Sequence, residues 1–177
     1  MTVLTSLMPK YTYQDYKNWK DDWELIDGHP WALMPSVLMR HSKVQSKAFI
    51  QSGISLERNS QNCNCIVLND LDWKINEDTV VKPDLMIVCG ETNTDFLEFP
   101  PVLILEVLSP STRTKDRTIK FDLYRSQGVK YYLMADYDKH TVEVYELIDN
   151  VFREVQKNTF LFDKYCEISF DFDRFWE

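Results

Sequence analysis

One segment of this chain is apolar along its whole length except for a single carboxylate. The run Val102-Leu103-Ile104-Leu105-Glu106-Val107-Leu108 consists largely of aliphatic and β-branched residues, a pattern typical of a buried strand. An unpaired charge in such a strand costs several kcal/mol or forces the group to protonate. Glu106 therefore needs a cation ligand, a basic partner or a position at an exposed strand end.

Helices and further strands surround this segment. Strands are predicted at 23–26, 31–34, 65–68, 85–89, 131–134, 141–147 and 151–155. Helices are predicted within 11–22 and at 38–58 and 114–127, and Gly128 provides a C-terminal stop for the last of them. This order predicts an α+β (mixed α/β) domain in which helices pack on one central sheet.

The size and composition are those of a globular protein. The 177 residues, 44% of them hydrophobic and 27% charged, can bury an ordinary core as one domain and exclude a disordered chain. The apolar runs, such as Val102 to Leu105, are far shorter than the roughly 20 residues that span a bilayer. The first ten residues lack the features of a secretory signal. We therefore expect a soluble, cytoplasmic protein with no membrane partner.

The charge distribution is uneven. The net charge of −8 makes non-specific binding to nucleic acid unfavourable. However, the segment 109–130 carries six basic and two acidic residues, which suits a restricted contact with a polyanion. Within it, Arg113, Lys115 and Arg117 are candidates for contacts with phosphates, and the alternative is a solvated helix face.

The cysteines give little indication of a metal site. Cys63 and Cys65 form a C-x-C pair, whereas Cys89 and Cys166 stand alone. A structural zinc site typically has two paired clusters, and the histidines lie at no zinc-ligand spacing from these cysteines. The sequence therefore favours reduced, partly buried thiols over zinc binding.

A second carboxylate precedes another apolar strand. Asp84, in Lys82-Pro83-Asp84, leads directly into Leu85 to Cys89. If this strand pairs antiparallel with the strand that contains Glu106, the two carboxylates lie within about one residue of each other, on the same face if the register allows it. Two carboxylates on one face suit Mg²⁺. The alternative is an acid at a strand end and a salt-bridged glutamate.

The helix after Glu106 contributes a cation. Asp116 and Lys120 are four residues apart and share a helix face, a pair that on a surface is worth little energy. Because the helix begins a few residues after Glu106, its side chains can return toward that carboxylate. An ammonium group there could stabilise charge on a metal-bound phosphate or position the attacking water.

These segments together resemble a large bacterial family. The shared residues are Pro83-Asp84, the run E-V-L-S-P-S-T from Glu106 to Thr112, Asp116, Lys120, Tyr124, Gly128-Val129 and Tyr131-Tyr132. They are similar to the family of putative restriction endonucleases within the PD-(D/E)XK nuclease superfamily. The similarity extends upstream to 24–28 and to His41-Ser42, and downstream through 141–145, so it covers nearly the whole chain.

The resemblance implies a fold and an activity. The implied fold is restriction-endonuclease-like, a central mixed β-sheet flanked by helices. It forms one domain over 1–177, with an N-terminal helix and hairpin at 11–35, a nuclease core at about 38–147 and C-terminal strands at 151–177. The implied activity is Mg²⁺-dependent hydrolysis of phosphodiester bonds, with Mn²⁺ as a substitute and with nucleic acid, which we expect to be DNA, as the substrate.

The resemblance also assigns site residues. Asp84 and Glu106 would be metal ligands, with the backbone carbonyl of Val107 as a third. The lysine of the superfamily usually follows the glutamate by two residues, but Leu108 occupies that position. The resemblance therefore points to Lys120, on the following helix, as the catalytic lysine.

Two further residues are catalytic candidates. His41 lies at the start of a helix that packs beside the site in this superfamily, and Glu24 lies on an early strand or turn. Either side chain could approach the metal or the water. The alternative for each is a purely structural side chain.

Three functions fit these observations. The first is a metal-dependent endonuclease, and a homodimer, common among nucleases that cut both strands, is compatible with it. The second is a non-catalytic nucleic-acid-binding or interaction module that keeps the nuclease fold. The net charge favours this module, whereas the intact Asp84, Glu106 and Lys120 disfavour it. The third is a small-molecule phosphoesterase with the same metal chemistry.

Overall fold

The computed structural model describes residues 9–33, 38–58, 63–91, 96–164 and 166–177. The strands are β1 (Trp23–Ile26), β2 (His29–Ala32), β3 (Cys65–Leu68), β4 (Trp73–Asn76), β5 (Thr79–Val81), β6 (Leu85–Cys89), β7 (Leu103–Leu108), β8 (Tyr131–Asp136), β9 (Thr141–Ile148), β10 (Val151–Glu154), β11 (Thr159–Leu161) and β12 (Glu167–Ser169). The helices are α1 (Tyr13–Tyr16), α2 (Met39–Arg58), α3 (Arg113–Lys115) and α4 (Phe121–Ser126). A π-helical turn (Asp116–Lys120) joins α3 to α4, and a 3₁₀ turn (Phe172–Phe175) follows β12.

A six-stranded mixed sheet forms the centre of the molecule. Its strand order is β10-β9-β8-β7-β6-β3. Strands β7 and β8 pair parallel, and the neighbouring pairs are antiparallel. Parallel strands require a crossover connection, which the helical segment from α3 to α4 supplies. The predicted α+β fold with a mixed sheet flanked by helices is confirmed.

Strand β7 is buried on both faces, and its alternating side chains separate two cores. Leu103, Leu105 and Val107 pack with α2 and the C-terminal hairpin. Ile104 and Leu108 belong to the opposite core, together with residues of the α4 segment. Because strand side chains alternate with a period of two, Glu106 faces this second core. The carboxylate therefore lies under the crossover helix.

A four-stranded sheet in the order β2-β1-β5-β4 lies beside the central sheet. Its first hairpin turns at Asp27 and Gly28, which have φ angles of 52° and 75°, as a two-residue hairpin loop requires. The prediction of a strand at 31–34 was wrong in its bounds, because pairing with β1 begins directly after this tight turn and starts β2 at His29. Met34, the predicted end of that strand, lies outside the described residues.

The hairpin formed by β4 and β5 was missed by the sequence analysis. Lys74, Asn76, Glu77 and Asp78 give this segment a polar character, so its strand pattern is weak. Pairing with β1 decides its conformation, because Val80 lies opposite Leu25 in the four-stranded sheet. Within the described part of the chain, no helix has the length and apolar character needed to cross a membrane.

The cysteines also differ from expectation. The structure joins Cys63 to Cys166 and Cys65 to Cys89 as disulfides, so the prediction of reduced thiols was wrong for this structure. The register of β3 and β6 sets Cys65 opposite Cys89. Cys63 and Cys166 are 103 residues apart in sequence, and only the packing of the C-terminal hairpin brings them together.

Candidate active site

The two predicted metal ligands meet where β6 begins and β7 ends. Leu85 lies opposite Leu105, so Asp84 and Glu106 occupy the next position of the antiparallel pair. The Asp84 N–H lies 3.4 Å from Glu106 Oε2, and the Val107 N–H donates to Asp84 Oδ2 at 2.6 Å. The backbone of β7 therefore holds both carboxylates side by side.

The predicted catalytic lysine reaches Glu106 from the crossover helix. Lys120 Nζ lies 2.8 Å from Glu106 Oε1, and the Tyr124 hydroxyl donates to the same oxygen at 2.8 Å. Asp116 Oδ1 lies 3.6 Å from Lys120 Nζ. The π-helical turn accommodates one extra residue, and Asp116, Lys120 and Tyr124 all face Glu106 from the buried side of this segment.

Glu24 joins the site from the four-stranded sheet. This fully buried carboxylate accepts contacts from Lys120 Nζ at 2.7 Å and from the Lys82 N–H at 2.9 Å. It also forms a close ion pair with the buried Lys115. Lys120 therefore lies between two buried glutamates that come from different sheets.

The first turns of α2 complete the cluster. His41 Nε2 lies 3.2 Å from Asp84 Oδ2. Gln45, one turn later, donates to the Asp84 carbonyl at 2.8 Å and to both carboxylate oxygens of Asp70 at 2.9 and 3.0 Å. The helix thus positions Asp84 through its side chain and its backbone.

Burial and the neighbouring charges shift the pKa values of these groups in opposite directions. Burial raises the pKa of Glu106 to about 8, against the attraction of Lys120. Burial also raises the pKa of Asp116. At Glu24 burial acts in the same sense, but Lys120 and Lys115 outweigh it and hold the pKa below its usual value.

The cations of the cluster are stabilised in their charged forms. Burial lowers the pKa of Lys120, but Glu106, Glu24 and Asp116 outweigh this effect and raise it well above its usual value. Burial likewise opposes protonation of His41, whereas the hydrogen bond and charge of Asp84 raise its pKa overall. Lys120 is therefore a permanent cation next to a glutamate that is readily protonated.

A cleft of about 570 Å³ opens onto this cluster. Its walls include His41, Asp84, Glu106, Asp116 and Lys120. The Ser109-Pro110-Ser111-Thr112 loop, Lys82 and Asp70 also line it. The cleft is large enough for part of a polymer or for a small molecule.

The three cations predicted to contact nucleic acid lie in different places. Lys115 is buried against Glu24, and Arg117 forms a bidentate ion pair with Glu143. Arg113 Nη2 lies 3.2 Å from Asp136 Oδ1. Each cation has an acidic partner, and their contact with phosphates stays a prediction.

The structure thus brings together Asp84, Glu106, Lys120, His41 and Glu24, which were predicted from widely separated segments. The roles of these residues, and the Val107 carbonyl as a ligand, stay predictions. Lys115 was assigned to phosphate contacts rather than to this cluster, Tyr124 was given no role in the site, and Gln45 was not predicted at all. Helical spacing is the signal that could have found the last two, since Tyr124 follows Lys120 by four residues and Gln45 follows His41 by four.

Comparisons with known proteins agree with the expected fold. The crystal structure of a putative nuclease belonging to DUF820 from Anabaena variabilis has a TM-score of 0.72 and 16% sequence identity, over 93% of this chain and 97% of that chain. No curated protein matches the sequence.

The model of the family described as "Uma2: Putative restriction endonuclease" matches residues 11–163. The match includes every candidate site residue, from Glu24 to Lys120, and confirms the resemblance found in the sequence. The chain belongs to the Uma2 family of putative restriction endonucleases.

Proposed function

We propose that the protein is a metal-dependent endonuclease that hydrolyses phosphodiester bonds, with DNA as the expected substrate and Mg²⁺, replaceable by Mn²⁺, as the cofactor. The observation that carries the proposal is the convergence of Asp84, Glu106 and Lys120 in one cleft. Asp84 and Glu106 come from adjacent strands, and Lys120 Nζ lies 2.8 Å from Glu106 Oε1. Family membership and the fold of the DUF820 protein support the proposal.

The donor set fits a hard divalent cation. Carboxylate oxygens are the ligands that Mg²⁺ prefers in proteins. The carboxylates of the cluster outnumber its ammonium groups: Glu24, Asp84, Glu106 and Asp116 face Lys115 and Lys120. Burial, together with the neighbouring carboxylates, raises the pKa of Glu106. A divalent cation would compensate this excess of negative charge. Asp84, Glu106 and the Val107 carbonyl are the residues that would hold the ion.

Each neighbouring residue has a definite task in this mechanism. Held by these ligands, a divalent cation would polarise the scissile phosphate and lower the pKa of a coordinated water. Lys120, kept charged by Glu24 and Glu106, stabilises the negative charge that develops on the phosphate. His41 and the Val107 N–H fix the orientation of Asp84 through its Oδ2 atom. Glu24 and Tyr124 position Lys120 and Glu106, respectively.

The second candidate function is a non-catalytic module that binds nucleic acid. The observation that favours it is the pairing of Arg113 and Arg117 with acidic side chains, in a chain with a net charge of −8. A chain of this net charge needs local positive charge in order to bind a polyanion. In the nuclease, a metal ion in the cleft would supply that charge. The cytoplasmic location and the homodimer stay predictions under either function.

The first experiment is calorimetric titration of Mn²⁺ into the wild type and Asp84→Asn, without nucleic acid. The matched control is Asp72→Asn. Asp72 is also a half-buried carboxylate, but it accepts a hydrogen bond from Tyr16 and does not line the cleft. We expect wild type and Asp72→Asn to bind the ion and Asp84→Asn to lose it. Unchanged binding by Asp84→Asn would show that the site is misplaced.

The second experiment compares substrates. Plasmid DNA, single-stranded DNA, RNA and a phosphodiester of nitrophenol are incubated with wild type, Glu106→Gln and Asp72→Asn in Mg²⁺. We expect cleavage of DNA by wild type and Asp72→Asn, but not by Glu106→Gln. Binding of DNA without cleavage would favour the non-catalytic module. Hydrolysis of the nitrophenyl ester alone would favour a small-molecule phosphoesterase.

A further inference from the structure

All four cysteines of the chain meet at one point, away from the cleft. Cys65 lies on β3 directly opposite Cys89 on β6, and Cys63 precedes β3 by two residues. Cys166, which is fully buried, comes from the C-terminal hairpin just before β12. Three separate parts of the chain therefore contribute sulfur atoms to one region beside the first core.

The sulfur atoms form one cluster rather than two separate crosslinks. Cys65 and Cys166 belong to different disulfides, yet their Sγ atoms are 3.3 Å apart. The Sγ atoms of Cys63, Cys65 and Cys166 all lie within 4.8 Å of one another. Two independent disulfides do not require the sulfur atoms of one to lie this close to those of the other, whereas four sulfur ligands of one metal ion do.

We propose that these four cysteines, when reduced, bind one Zn²⁺ ion through four thiolates. A structural zinc site is a closed tetrahedron with Zn–S distances of about 2.3 Å, which places its sulfur atoms a little under 4 Å apart. The 3.3 Å between Cys65 and Cys166 and the 4.8 Å limit on the Sγ atoms of Cys63, Cys65 and Cys166 lie on either side of this value. Cys89, which is bonded to Cys65, would supply the fourth ligand. Thiolate ligands select zinc and other soft metals over Mg²⁺, so the site is chemically distinct from the carboxylate cleft.

The disulfide and zinc states of the cluster are connected by a balanced reaction. Two equivalents of a dithiol reductant reduce the two disulfides to four thiols and are themselves oxidised to two disulfides. Binding of Zn²⁺ then replaces the thiol protons, which are released to solvent. Backbone hydrogen bonds hold these segments together in addition to the S–S bonds: β3 pairs with β6, and within the hairpin the Phe162 N–H donates to the Cys166 carbonyl at 2.8 Å.

A zinc ion at this point would connect the C-terminal hairpin to the edge of the central sheet. The hairpin also contacts α2, since the Ser169 N–H donates to Ser55 Oγ at 3.0 Å and the Asp171 N–H to Gln51 Oε1 at 2.7 Å. Helix α2 carries His41 at its other end. A bound zinc ion would therefore stabilise, through the hairpin, the helix that positions Asp84.

The test uses the full chain purified with a non-chelating reductant. Zinc is measured per chain by mass spectrometry, and Co²⁺ is titrated into the metal-free, reduced protein. We expect one zinc per chain and an intense thiolate-to-cobalt charge-transfer band, which one equivalent of Zn²⁺ abolishes. Carboxylate ligands give no such band, so failure of the proposed nuclease site leaves this result unchanged.

Two variants complete the test. Cys166→Ser should weaken Zn²⁺ binding by at least about tenfold, since removing even an outer partner of a metal ligand has an effect of this size. Glu106→Gln should bind Zn²⁺ and Co²⁺ at the cysteines like the wild type. The proposal is overturned if folded wild type with four titratable thiols gives no charge-transfer band, or if both disulfides persist in millimolar reductant.

Discussion

Replacing Glu106 with glutamine should stabilise the metal-free protein at neutral pH. Burial raises the pKa of Glu106 from 4.5 to about 8, and each pKa unit corresponds to about 1.4 kcal/mol. The unfolded chain ionises this group above its ordinary pKa, whereas the folded protein keeps the proton. The wild type therefore loses stability as the pH rises from about 4.5 to about 8, and at pH 7 the loss is about 3 kcal/mol.

The glutamine side chain removes this loss at a smaller cost. Its amide oxygen can accept the hydrogen bonds from Lys120 and Tyr124, but its amide group faces the Asp84 N–H, which now lies 3.4 Å from Glu106 Oε2. Loss of this contact costs on the order of 1 kcal/mol. We expect a net gain of about 2 kcal/mol at pH 7, which corresponds to roughly 4–8 °C in melting temperature for a chain of this size.

The assay is urea denaturation of wild type and Glu106→Gln in EDTA, at several pH values between 4.5 and 8.5. The control is Glu24→Gln, because Glu24 is equally buried and contacts the same Lys120. The pKa of Glu24 is lowered, so its ionised form stabilises the fold above its usual pKa, and the control should lose stability at pH 7. The reasoning is refuted if Glu106→Gln is less stable than wild type at pH 7 and above.

Three further predictions concern the same cluster. Lys120→Met should lose cleavage and about 3–5 kcal/mol of stability, because it leaves buried carboxylates unpaired. The control is Lys115→Met, because Lys115 also pairs with Glu24; this variant should lose stability but keep measurable cleavage. Equal loss of cleavage in the two folded variants would contradict the role of Lys120. Since a metal ion must displace the proton of Glu106, the Kd for Mn²⁺ should rise by about tenfold for each unit that the pH is lowered below 8. Calorimetry in buffers of different ionisation enthalpy should detect the released proton, and a pH-independent Kd would be inconsistent with this reasoning. The pKa of His41 is raised, so protonated His41 stabilises the fold below its ordinary pKa of 6.5, and this effect is lost as the pH rises through the raised value. In thermal denaturation, the stability difference between metal-free wild type and His41→Gln should therefore shrink from pH 6 to pH 8.5. A constant difference would argue against a charged His41.

Much of the fold could be predicted because strong local patterns survive in the tertiary structure. The apolar run around Glu106 and the long helix α2 form where the sequence predicts them. By contrast, β4 and β5 have a polar sequence and are strands because β1 pairs with β5. The bounds of β2 depend on how tightly the chain turns at Asp27 and Gly28, because pairing with β1 begins directly after these two residues and the apolar pattern alone did not fix that point.

The candidate site shows the same division. The pairing of Asp84 with Glu106 was predictable from the sequence, because two adjacent strands in an antiparallel pair bring the start of one beside the end of the other. The resemblance could also point to Lys120, because this residue lies on the crossover helix at a fixed number of residues after Glu106. The cations at 113, 115 and 117 could not be interpreted in this way, since their acidic partners lie on other elements.

The sequence by itself determined the fold class, the family and the two carboxylates that border the cleft, because these depend on periodicity, on motif spacing and on a short connection between neighbouring strands. Only the tertiary structure decided that Glu24 reaches Lys120 from another sheet and that four distant cysteines share one cluster. It also decided which glutamate is readily protonated, since the pKa of a buried carboxyl depends on its burial and on the charges that other segments place around it.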